Sequence, residues 1–174
     1  MKSLNEIKNC ERCDLCKTRY NVVLGRGNIS LNTCILIIGE APGATEDLIG
    51  EAFVGLSGKL LDTMLKEVGF DLNECYFLNT ILCRPTDKKS GKNRIPNVNE
   101  ILACRYNIEM IMSKIPFQFV ILIGEIAKKY FIKTFPIATC IQLPAYLLRT
   151  GGVKSPHYQK NINRLQELGG KYYD

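Results

Sequence analysis

Three cysteines near the start of the chain, Cys10, Cys13 and Cys16, are spaced C-x2-C-x2-C, close enough for neighbouring thiolates to converge on one metal centre. The chain has eight cysteines in all and a single histidine, His157. A mixed Cys/His zinc set is therefore disfavoured, and an all-thiolate site holding zinc or an iron–sulfur cluster is favoured. Local spacing alone groups Cys10, Cys13 and Cys16. Cys34, Cys75 and Cys140 lie in or beside apolar runs and read as small buried hydrophobes. The second chemical signal is charge. Arg84, Lys88, Lys89, Lys92 and Arg94 crowd one segment with only Asp87 opposing them, and Arg149, Lys154, Lys160 and Arg164 form a second set. Basic loops of this kind neutralise phosphates, or simply make a solvated face.

The elements that must position these groups follow from composition and periodicity. The 174 residues suit one domain over 1–174, with 46% apolar and 23% charged residues, which excludes collagen, a disordered tail and a coiled coil. Lys and Arg number 23 against 17 Asp and Glu, a formal +6. No apolar stretch approaches the ~20 residues of a membrane helix, and no apolar signal segment follows Met1. The expectation is a cytoplasmic protein with no membrane segment, and a monomer.

Residues 33–39 read as a buried strand, broken by the tight turn Glu40-Ala41-Pro42-Gly43. A helix pattern begins at Ser57, its expected cap, and ends at Gly69. Residues 75–82 and 117–123 read as further strands, and 137–143 as a weaker fourth. Helices are expected from about Asn99, from Gly124 to about Ile132, and from Pro156 to Leu168. Strands alternating with helices predict an α/β fold around a mostly parallel four-stranded sheet. Sites in such sheets lie beyond the carboxyl ends of the strands, which puts residues 40–43, 79–84, 124–125 and 143–149 on one rim.

Those rim segments resemble the family 4 uracil-DNA glycosylases, the iron–sulfur branch of that superfamily, over about Cys10 to Leu168. The motifs are Cys10-Glu-Arg-Cys13, the Val22–Gly27 stretch, Gly39-Glu-Ala-Pro-Gly43 with Glu46-Asp47, and Gly50-x-x-Phe53-Val-Gly55-x-x-Gly58. After them come Asn79-x-x-x-Cys83-Arg-Pro85, Asn93-Arg-x-Pro96, Glu100-Ile-x-x-Cys104 and Leu122-x-Gly124-x-x-Ala127. The resemblance implies a three-layer α/β sandwich that removes uracil from DNA in base-excision repair. It implies a 4Fe–4S cluster on Cys10, Cys13, Cys83 and Cys104, tying segment 10–16 to 83–104, with Cys16 as a spare and zinc as the alternative metal. Phe53 is then the stacking aromatic and Asn79 the carboxamide that reads the pyrimidine edge. Gly39 and Ala41 bring backbone close to the base. Glu40 and Glu46 are the candidate catalytic carboxylates, Glu40 foremost, and Asp47 is an exposed structural one. Arg84, Lys88, Lys89, Lys92, Arg94 and Arg149 are the DNA contacts.

The sequence departs from the family at Leu143. The family has a His-Pro pair here, and the imidazole donates to the uracil oxygen as the base leaves; Leu143-Pro144 cannot donate. Gln142 or Tyr146 are the possible substitute donors, and His157 is not expected to serve. A competing reading is thus a catalytically weak or silent glycosylase fold that binds DNA or serves as a subunit. The basic loop is also longer than in the family, and residues 86–98 contain no His, so covalent trapping of DNA is not implied.

Overall fold

A computed structural model describes residues 4–87 and 89–173. In chain order the helices are α1 (Leu4–Lys8), α2 (Ala44–Ile49), α3 (Leu56–Glu67), α4 (Val98–Met112), α5 (Gly124–Phe131), α6 (Pro144–Arg149) and α7 (Pro156–Tyr173). The strands are β1 (Ile35–Gly39), β2 (Cys75–Asn79), β3 (Phe119–Ile123) and β4 (Thr139–Ile141). They form one sheet in the order β2-β1-β3-β4, and every pairing is parallel, so the expected mostly parallel sheet is wholly so.

The strands are continuous apolar runs because both faces are covered. Leu36, Ile38, Leu78 and Leu122 point to one layer with Ile101 and Ile108 of α4 and Phe131 of α5. Ile35, Ile37, Phe77 and Ile121 point to the other, against Leu61 and Leu65 of α3, Leu147 of α6 and Ile162 and Leu165 of α7. This is the three-layer sandwich. Each buried Leu or Ile contributes ~1.5–3 kcal/mol of transfer free energy, so both faces of β1 hold it in the core.

Element ends differ from the sequence pattern, for local reasons. The strands stop at Gly39 and Asn79 because pairing in the sheet ends there (Gly39↔Asn79). Helix α3 starts earlier than Ser57: Gly55 is its N-cap, and its N–H donates to the Glu46 carboxylate rather than to a local hydroxyl. Helix α4 is capped by Asn97, whose Oδ1 accepts from Glu100 N at 2.9 Å while Glu100 accepts from Asn97 N. Helix α7 runs past Leu168 to Tyr173. Of the three cysteines read as buried, only Cys75 is; Cys34 and Cys140 are half-buried.

The chain leaves β1 toward β2 on one side and later reaches β3 on the other. This switch of direction opens a crevice at the carboxyl end of β1. No helix among the described residues is long and apolar enough to cross a membrane.

Candidate functional site

Immediately beyond β1, the turn Glu40–Gly43 forms one wall of an open cleft also lined by Phe53, Asn79, Leu143 and Arg149. The structure thus brings together residues from four separated segments of chain. Gly39 lies beneath them. A methyl carbon there would sit 2.5 Å from Phe53 Cζ and 2.8 Å from Asn79 Oδ1, so only glycine lets ring and carboxamide meet. The Gly39 carbonyl is turned into the fold, where it accepts from both Thr80 N (2.8 Å) and Thr80 Oγ1 (2.7 Å).

Phe53 has φ 56, the one positive φ at a non-glycine position among the described residues. Such a conformation costs on the order of 1–3 kcal/mol and persists only where surroundings impose it. They do so here. Gly58 runs so close beneath that a Cβ would stand 1.8 Å from the Phe53 carbonyl oxygen, and the ring packs tilted on Phe77 at 5.9 Å between centroids.

The two candidate carboxylates have different environments. Glu46 Oε2 accepts from Gly43 N (3.1 Å) and its Oε1 from Gly55 N (2.7 Å), clamping the β1 turn to the start of α3. Glu40 makes no hydrogen bond among the described residues; burial raises its pKa, opposed by the charge of Arg149. Asp47 is structural as expected but not exposed: it is 1% accessible, and its Oδ1 accepts from Tyr20 N and Asn21 N. Asn79 is 4% accessible and its side chain makes no hydrogen bond among the described residues.

Leu143 is the N-cap of α6 and packs over Gly124, with Cδ1 3.3 Å from where a Cβ would lie. Neither substitute donor reaches the cleft. The Gln142 backbone is held by Asn161 on α7, and Tyr146 meets His157 edge-on at 5.2 Å outside the cleft lining.

The basic loop divides into free and engaged cations. Lys89, Lys92 and Arg149 are exposed; Lys88 lies outside the described residues. Arg84 donates to Asn93 Oδ1 (2.6 Å) and Gly91 O (3.1 Å). Arg94 was expected to meet phosphate, yet its guanidinium forks onto the Glu100 carboxylate (2.9 and 2.5 Å) and donates to Thr86 O and Ile95 O. The reason is proximity: Glu100, in the first turn of α4, is buried and needs a counter-charge, and this pairing holds its pKa below the ordinary carboxylate range. Arg94 therefore anchors the loop.

On the other side of that loop Cys10, Cys13, Cys83 and Cys104 line one apolar hollow, which Cys16 does not line. Spacing alone grouped Cys16 with Cys10 and Cys13; the 3-10 turn at Asp14–Lys17 carries it away, while Cys83 and Cys104 enter from the far end of the loop and from α4. Burial pushes the Cys83 and Cys104 thiols up to about 12 and raises Cys13. Asn107 Nδ2 donates to Cys10 Sγ (3.2 Å) and Leu82 N to Cys104 Sγ (3.4 Å). Four soft sulfur donors around one hollow suit an all-thiolate iron–sulfur group, with zinc as the alternative.

Sequence reasoning assigned no role to Asn93, Thr80, Asn107, Leu56 or Ile95. Asn93 was visible in the Asn93-Arg-x-Pro96 motif, but its place in the cleft was not.

With this geometry in hand, comparison with known proteins is informative. Residues 25–166 match the family model for the Uracil DNA glycosylase superfamily. The chain is 36% identical over 134 residues to a type-4 uracil-DNA glycosylase of Archaeoglobus fulgidus, covering 77% of this chain and 64% of the relative. It is 36% identical over 130 residues to one of Saccharolobus solfataricus (74% and 57%). It is 42% identical over 105 residues to one of Pyrobaculum aerophilum (60% and 50%). These matches thus span 50% to 64% of the relatives' own lengths.

Proposed function

Because this chain belongs to the uracil DNA glycosylase superfamily, we propose that it hydrolyses the N-glycosidic bond of uracil in DNA, the first step of base-excision repair. The single observation that carries the reading is the meeting of Phe53 and Asn79 over Gly39 at the floor of an open cleft. A base inside a duplex is out of reach, so the nucleotide is extruded into the cleft. The Phe53 ring offers a flat face for stacking. The Asn79 carboxamide carries both a donor and an acceptor, matching uracil O4 and N3–H, whereas cytosine presents the reverse pattern there.

As the bond between C1′ and N1 breaks, its electron pair leaves with the base and positive charge grows on the sugar. Glu40 is placed to favour that cation and to take a proton from the water whose oxygen bonds to C1′. Glu46 positions the turn through its two backbone contacts. Lys89, Lys92 and Arg149 supply charge for phosphates flanking the site, with Lys88 in the same run. Cys10, Cys13, Cys83 and Cys104 would hold a 4Fe–4S cluster, whose contribution is to fix the ends of the basic loop. The domain extends over 1–174 as a single unit acting as a monomer in the cytoplasm.

One observation favours a second reading, a slow or silent member of the superfamily that binds DNA or serves as a subunit. Leu143 presents an aliphatic side chain to the cleft where an oxyanion donor is expected. Lacking one such donor costs on the order of 10²–10³ in rate. The deciding experiment is a gel assay on uracil-containing single- and double-stranded oligonucleotides, with alkali to cut abasic sites. The glycosylase reading expects product from the wild-type chain and a gain of ~10²–10³ in Leu143→His. No product from either protein at enzyme excess would overturn it in favour of the second.

A further inference from the structure

Asn107 lies on α4 three residues beyond Cys104, so a thiol and a carboxamide project from one helix face into the cysteine hollow. It is 5% exposed and sits among Ile101, Ile108 and Ile111 on the buried side of the helix. An Asn there costs helix propensity and desolvation, and only a hydrogen bond offsets them. Its Nδ2 donates to Cys10 Sγ at 3.2 Å, across 97 positions of sequence.

The acceptor decides what that bond is worth. A neutral thiol accepts weakly, whereas a metal-bound thiolate carries charge and accepts strongly. The buried amide therefore matches Cys10 as a ligand rather than as a free thiol. The other sulfur contacts differ in kind. Cys104 receives the backbone N–H of Leu82, which any residue but proline would supply, and Cys83 is hydrogen-bonded by Arg19, a half-buried cation. The segment bearing Cys10 has a second tie to α4, where the Arg12 guanidinium stands 4.8 Å over the Tyr106 ring. That contact touches no sulfur, so attachment of the segment and chemistry at the sulfur can be separated.

We propose that Asn107 is a positioning residue for the metal group of the hollow: its amide holds the Cys10 thiolate in place as a ligand and raises the one-electron reduction potential of a cluster bound there. The inference rests on the reading of the hollow as an iron–sulfur site and goes beyond it by assigning the tuning to one side chain of α4. An N–H donor on a ligand sulfur favours the more negative, reduced state, and this sets the direction of the shift.

The test is film voltammetry on the full chain prepared anaerobically with its iron, the electrode supplying the electron. Asn107→Leu and Asn107→Ala both remove the donor but differ in packing. Each is expected to lower the midpoint potential by about 59 mV or more, tenfold in the one-electron equilibrium. The two shifts should be similar although Asn107→Ala melts lower. Tyr106→Ala loosens the segment and leaves the potential at the wild-type value. A wild-type potential in both Asn107 variants, a shift confined to Asn107→Ala, or an equal shift in Tyr106→Ala overturns the assignment. Zinc without iron in the wild-type protein would sink the cluster reading, and Asn107 is then judged by release of zinc to a chelator. Release about tenfold or more faster from Asn107→Leu keeps its hold on the Cys10 thiolate; release at the wild-type rate overturns it. A wild-type protein that binds neither metal overturns both.

Discussion

The cysteine hollow and the open cleft share one loop, residues 84–97, and are built by opposite rules. In the hollow, polar atoms find partners inside the protein: Asn107 donates to Cys10, Leu82 N to Cys104, and Arg94 to Glu100 at its edge. In the cleft, the Asn79 carboxamide and the Glu40 carboxylate make no hydrogen bonds among the described residues, and Phe53 is held at φ 56. The first region has these polar groups paired within the protein. The second keeps hydrogen-bonding capacity and backbone strain in reserve for a ligand. The difference teaches where each kind of mutation should register, in stability for one and in turnover for the other.

The strongest way to break this contrast is at Cys104. Cys104→Ser should remove iron and the broad absorption near ~400 nm, lower the melting temperature by ~2–4 °C for each kcal/mol lost, and raise hydrogen exchange in the 84–97 loop. Full iron content and an unchanged melt in that variant would mean the hollow holds nothing. Next comes Asn79→Asp on the cleft side. Uracil excision should fall by ~10²–10³, because one donor of the reading carboxamide is replaced by an acceptor; wild-type rates would remove Asn79 from the site.

Smaller effects sharpen the picture. Glu46→Ala deletes two backbone contacts to a carboxylate, each worth up to about 1.5–3 kcal/mol before solvent screening. It should depress both melting temperature and kcat, since the clamp serves stability and the cleft together. Lys89→Ala and Lys92→Ala should each flatten the plot of log affinity against log salt by about 0.9, with little sequence dependence. Slopes equal to wild type would leave those lysines as a solvated face.

The smallest effect on stability concerns Glu40. Burial raises its folded pKa above the unfolded value, so the folded state holds this proton more tightly. Its contribution to stability is complete below the ordinary carboxylate range and is lost as pH rises through the raised value. Glu40→Gln should therefore be slightly more stable than wild type at neutral pH, with that part of the pH dependence gone, and much slower in excision. Denaturant melts at acid and neutral pH check the sign.

Much of the fold was legible because it follows from local pattern. The apolar run Ile35–Ile38 could only be a strand buried on both faces, and Leu60, Leu61, Met64 and Leu65 could only be the inner face of a helix. The start of α3 was misread at Ser57 because the cap is an interaction with Glu46, nine residues away from Gly55, and no propensity encodes it. Arg94 looked like its basic neighbours until Glu100 was found facing it. Cys16 has the same spacing to Cys13 as Cys13 has to Cys10, and only a 3-10 turn separates their fates. Gln142 and Tyr146 stand near Leu143 in sequence, but α6 and α7 turn both away from the cleft.

By itself the sequence determined the alternation of strands and helices, the motifs that carry the family, and an aliphatic side chain at Leu143, since each depends on residue type and short-range order. Tertiary structure decided which thiols face one hollow, which buried amide donates to one of them, and which cations remain unpaired. Those outcomes depend on side chains brought together from distant parts of the chain, where burial and charge compensation choose the partners.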